Sequence, residues 1–200
     1  MKPYTLLRCI VSLSFVAVAV ACTSLTPAGM MAASRLDPIK TPPDQIAVAF
    51  AVPQTLRLSD GDAEFRIAFA GGPADAPILL EKTAVLDIRP AAQDGPRSSN
   101  GEEQIYIARI PPADAPAVAE ILRQIRTLQA KGIEGEGNLG ILIGGGCYMQ
   151  TIPESLVFST WLKTNPEDGF VQVTRRANLF DAINARDATL LRAALTRCEN

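Results

Sequence analysis

Cys22, Cys147 and Cys198 are the side chains from which chemistry is first expected, because a thiolate is a nucleophile and two thiols can join. The chain has no histidine. That removes the Ser-His-Asp and Cys-His arrangements and the commonest zinc ligand. No Cys-x-x-Cys spacing occurs, so a thioredoxin-like redox site is absent. Cys147 as a nucleophile would need another activator, and the sequence places none beside it. The better use of Cys147 and Cys198 is a disulfide, which would tie a glycine-rich strand exit to the last helix. Closing a loop of about 50 residues is worth roughly 4 kcal/mol in the chain-entropy model.

Gly135-Glu136-Gly137-Asn138-Leu139-Gly140 spells G-x-G-x-x-G. A dinucleotide site needs that motif after a strand and before a helix, so that the helix N-terminus faces the pyrophosphate. Here a helix precedes and a strand follows, and the motif reads as a helix-to-strand loop. Gly144-Gly145-Gly146 lacks the Lys-Ser/Thr pair of a P-loop and reads as a bulge or tight strand exit. Asp60, Asp62 and Glu64 alternate, but a calcium loop needs more oxygen ligands and a glycine at a set position. A hairpin turn in solvent accounts for them. Glu102-Glu103 and Glu167-Asp168 are acid pairs of the kind used in general acid–base catalysis. Adjacent acids in loops are ordinarily solvated. Trp161, Phe158 and Tyr148 are candidates to line a ligand groove, with core or cross-strand packing as the alternative. No metal and no cofactor is expected.

The amino terminus carries an address. Lys2 and Arg8 precede an apolar run from Cys9 to Ala21. Thirteen helical residues span roughly 20 Å, whereas a bilayer core is about 30 Å thick. A basic head, a short apolar stretch and a small-residue end make a secretory signal peptide. The site Ala19-Val20-Ala21-Cys22 resembles the lipobox of bacterial lipoproteins, with Ala19 where leucine is usual. The same residues fit the Ala-x-Ala site of ordinary signal peptidase, which would leave a soluble periplasmic or secreted protein. The lipobox resemblance implies acyl chains on Cys22, and Thr23, which is not aspartate, implies sorting to the outer membrane, facing the periplasm. With Cys22 acylated, Cys147 and Cys198 remain as an even pair in an oxidising space.

The implied organisation is a signal peptide over 1–21, a lipidated cysteine and flexible tether over 22–43, and one globular domain over 44–200. The tether holds Pro27, Pro38, Pro42 and Pro43 and lacks periodicity. The domain's composition suits folding, since the chain is 48% hydrophobic and 20% charged. Strands are expected at Gln45 to Val52, Thr55 to Leu58, Glu64 to Ala70, Ile78 to Ile88, Gln104 to Ile110 and Leu139 to Ile143. A further hairpin, Leu156 to Thr164 with Gly169 to Thr174, turns about Asn165-Pro166-Glu167-Asp168. Between them, Val118, Ile121, Leu122, Ile125 and Leu128 fall on one face of a helix. Asp114 is its expected cap, Pro116 sits in its first turn and Gly132 ends it. Asp187 is the expected cap of a last helix, with Leu190, Leu191, Ala194, Leu195 and Cys198 on its buried face. The fold class is α+β, a mostly antiparallel sheet with one central amphipathic helix and a short C-terminal helix.

The stretch from Gly144 to Thr174, with Ser159-Thr160-Trp161-Leu162-Lys163-Thr164-Asn165-Pro166-Glu167 after Cys147 and a closing Cys198, resembles a type of small, uncharacterised proteobacterial lipoprotein. The resemblance implies no activity. The formal net charge of −2 becomes −4 once Lys2 and Arg8 leave, which is no nucleic-acid footprint. The expected function is a non-enzymatic interaction or assembly module, held at the membrane by its lipid and serving an envelope partner. The alternatives are a lipoprotein that binds a small ligand or glycan, and a hydrolase that works with carboxylates.

Overall fold

The structure is a computed structural model and describes residues 41–93, 95–98 and 100–199. The expected signal peptide, the expected lipidation point at Cys22 and the expected tether up to residue 40 lie outside the described residues.

The central strand, β1 (Ala47–Pro53), alternates small and large apolar residues. Ala47, Ala49 and Ala51 share one face and Val48, Phe50 and Val52 the other, and all six are buried. A strand buried on both faces belongs in the middle of a sheet. Around it stand β5 (Asp87–Pro90), β6 (Glu103–Arg109), β9 (Val157–Lys163) and β10 (Val171–Asn178). The order is β10-β9-β1-β6-β5, and every neighbouring pair is antiparallel.

A second sheet forms around β3 (Ala63–Gly71), where buried Phe65, Ile67 and Phe69 alternate with exposed Glu64 and Arg66. That period of two gives one core face and one wet face. Its antiparallel neighbours are β4 (Ile78–Val85) and β7 (Gly135–Ile143). A third, small sheet joins β2 (Leu56–Arg57), β8 (Cys147–Tyr148) and β11 (Thr196–Arg197), with β11 parallel to β8.

Helix α1 (Ala115–Ala130) lies against β4 and buries Val118, Leu122 and Ile125. It stops where Gly132 takes a φ of +74° and the Ile133 amide donates to the Leu128 carbonyl, 3.1 Å away. Two short helices follow the hairpin, α2 (Leu179–Ala182) and α3 (Ala185–Ala194). One cluster takes side chains from all these parts, among them Phe50, Phe65, Phe69, Leu122, Tyr148 and Leu191. The fold is α+β with mostly antiparallel sheets.

Several local expectations are corrected. Asp114 makes no side-chain cap on α1. The cap of α3 is Asn184, whose Oδ1 accepts the Asp187 amide at 2.9 Å while its Nδ2 donates to the Asp187 carboxylate at 2.8 Å. Asp187 is the third residue of the helix, and it closes the cap from inside. Leu190 is 59% exposed, Ala194 is exposed, and Leu195 and Cys198 lie beyond the helix, so Leu191 alone of that set is buried within it. The expected strand from Ile78 to Ile88 breaks at Leu86, which separates β4 from β5. The turn at Ser59 to Asp62 does not join hairpin partners, because β2 pairs with β8 and β3 with β4 and β7. The G-x-G-x-x-G motif is itself strand, paired with β3 from Gly135 opposite Gly71 onward.

Candidate functional site

Between the inner face of the β1–β9–β10 side, the edge of β7 and the helices α2 and α3 lies a groove of about 680 Å³. Strand alternation places Val48, Phe50, Phe158 and Leu162 on that inner face. From the helices come Ala182, Leu190, Leu191 and Ala194, and Ile183 joins them from the link between α2 and α3. The lining is mainly apolar, and its two charged residues, Glu64 and Asp187, are both acidic. Hydroxyls of Thr160 and Thr174 meet across β9 and β10 at 2.7 Å.

β7 supplies the opposite wall. Leu139, Ile141 and Ile143 stand on its inner face, opposite Ile67, Phe65 and Ala63, while Leu142 stands on its outer face, opposite Glu64. All four line the groove. The groove therefore runs along the strand edge and wraps around it.

The aromatic candidates separate. Phe158 belongs to the inner face and lines the groove. Trp161 borders it along β9 but packs on a second cluster, Ala47, Ala49, Ala51, Ile105 and Ile107, on the opposite face of the five-stranded sheet. Tyr148 is 1% exposed and does not line the groove. Among the described residues its hydroxyl has no partner, and burial pushes its pKa up to about 12. The candidates from the helices went unseen in the sequence. No local signal marks them, because adjacent Leu190 and Leu191 can share one core-facing stripe just as Ile121 and Leu122 do on α1.

Cys147 and Cys198 are joined, which fits the expected bridge. The bond ties the glycine-rich exit of β7 to the tail just beyond β11, rather than to the helix itself. Gly146 there has a φ of +136°, a conformation open to glycine.

The acids near the turn have structural work. Asp60 Oδ1 accepts the Ile88 amide at 2.6 Å and Asp62 Oδ2 accepts the Ser59 amide at 2.7 Å. The Asp62 carbonyl accepts the amides of Gly144 and Gly145. Glu103, whose side chain is 7% exposed, is not solvated as expected; it accepts the Ser98 hydroxyl at 2.8 Å and faces Arg176 at 3.4 Å. Among the described residues no group of three or more Cys, Asp or Glu side chains converges as a metal site would require, and no helix is long and apolar enough to cross a membrane.

Compared with protein-family models, curated proteins and solved structures, the chain matches none of them.

Proposed function

We propose that the protein is a non-enzymatic binding module of the bacterial cell envelope, lipid-anchored at Cys22, that holds its partner in the groove beside β7. The observation that carries this reading is the groove itself. It is concave, mainly apolar and about 680 Å³ in volume, within the range of built binding sites. An open apolar hollow left between two sheets and a helix pair costs packing energy, and a bound partner would offset that cost. The signal peptide and Cys22 support the address, and the disulfide suits an oxidising compartment.

The same lining favours a second reading, a small lipid-like ligand, because apolar walls with few polar groups also suit that class.

The test uses the full chain carrying Cys22→Ser, exported without its acylation point, and an environment-sensitive naphthylamine dye. Dye fluorescence should rise with this chain and fall back when Ala182→Trp fills the groove. Equal fluorescence from both chains would remove the groove as the binding site. Intact mass of the unsubstituted chain, extracted from membranes, should show acylation that Cys22→Ser abolishes.

A further inference from the structure

We infer that the groove's occupant is an extended peptide strand of a partner protein, carrying basic residues and added to the edge of β7 that is free among the described residues. This rests on the groove being the docking site, and it names what docks there.

Strand edges expose unpaired amides and carbonyls, and proteins protect them with charges, prolines, bulges, short length or a covering helix. Three of the four outer edges of the two larger sheets are protected. β10 is irregular, with register shifts between Gln172 and Thr174 and between Thr174 and Ala177. It also carries Arg175 and Arg176, and Arg176 is turned to a φ of +48° and held by the Ser159 hydroxyl at 3.0 Å. β5 is four residues long and ends in Pro90. β4 carries Glu81 and Lys82 and has α1 against it.

β7 is far less protected. It pairs with β3 through nine consecutive residues without a register shift, so it is long and regular. It contains no proline, and its single charge is Glu136 near its start. A Cβ added at Gly137 would meet nothing within 4 Å and one at Gly140 only the Asn138 side chain, at 3.9 Å, so neither face of the strand is crowded at these positions. Among the described residues no strand pairs with its outer side. An edge left this bare is a template for another strand.

The groove's shape agrees with that occupant. A fatty chain would need only the inner apolar wall. An added strand lies in line with β7 and presents side chains to both faces, and the groove is lined from both faces of β7. Main-chain pairing would supply affinity and the pockets for alternate side chains would supply selectivity. Glu64 and Asp187, the only charged lining residues among those described, favour lysine or arginine on the incoming strand.

The probe is a synthetic peptide as long as β7, alternating valine and threonine, with lysine at both ends. Its binding to the full Cys22→Ser chain is measured by fluorescence anisotropy. Two N-methylated versions, each blocking one edge of the peptide backbone, keep the side chains unchanged. Pairing with β7 predicts that one of the two binds about tenfold more weakly or not at all, since several backbone bonds are lost. Gly140→Lys should weaken binding by a similar factor and Gly140→Ala should not. Where Gly140→Lys fails to fold, the N-methyl comparison on the unsubstituted edge still decides. A peptide with glutamate ends should bind more weakly than the lysine peptide. If both N-methyl versions bind like the parent, or if a fluorescent fatty acid binds and the peptide does not, strand addition is wrong while the groove reading stands. If neither peptide nor fatty acid binds, both fall.

Discussion

Thr160 Oγ1 and Thr174 Oγ1 sit 2.7 Å apart on the wall of the groove, one hydroxyl donating to the other across strands β9 and β10. The pair gives one hydroxyl an acceptor and the other a donor within an apolar lining. Removing one hydroxyl leaves the other unpaired. Thr174→Val alone should therefore cost about 1 kcal/mol of stability, while Thr160→Val with Thr174→Val should be close to neutral. Denaturant titration of the three chains checks this, and the double variant should bind the naphthylamine dye at least as well as the parent.

The disulfide closes a separation of 51 residues and fastens the tail that follows α3 to β8. β11 holds only two residues, so its ladder alone is a weak tie. Reduction, or Cys147→Ser with Cys198→Ser, should lower unfolding free energy by about 4 kcal/mol. Because α3 forms one wall of the groove, dye binding should also weaken. Denaturation with and without reductant, followed in parallel with dye fluorescence, tests both consequences.

Tyr148 buries a hydroxyl that meets no partner among the described residues. Tyr148→Phe removes that cost and should leave stability unchanged or raise it by about 1 kcal/mol. The pH dependence has a defined sign. Burial raises the folded pKa from 10.0 to about 12, so the buried phenol stays neutral where the unfolded one ionises. Its contribution is fully present below pH 10 and is lost as pH rises towards 12. Thermal melts across that window should fall less steeply for Tyr148→Phe than for the parent.

Ser159, 3% exposed, spends its hydroxyl on the amide of Arg176, whose φ of +48° is unusual for a residue with a side chain. Ser159→Ala orphans that amide and should cost about 1–3 kcal/mol. Arg176→Gly relieves the backbone and should be tolerated better. Chemical denaturation separates the two effects.

Much of the architecture is legible in the chain because its signals are local. β3 is readable in the alternation of Phe65, Ile67 and Phe69 with Glu64 and Arg66, and α1 in the spacing of Val118, Leu122 and Ile125. The capping of α3 was less legible, because Asn184 and Asp187 are both good capping residues and only geometry shows which one stands outside the helix. β7 was read short because glycines weaken a strand pattern, yet nine consecutive partners on β3 hold it extended. The groove itself could not be read. It depends on how far the edge of β7 stands from β9 and β10, a distance that no local pattern encodes. Leu190 looks like core in sequence and is a groove wall in the fold.

The most direct measurement is amide hydrogen exchange of the full Cys22→Ser chain, with and without the lysine-ended valine–threonine peptide. The amides of Gly137 to Ile143 that point away from β3 should slow by about tenfold or more, as new strand pairing requires. Unchanged exchange along β7, or protection confined to another surface, would contradict a partner held in this groove.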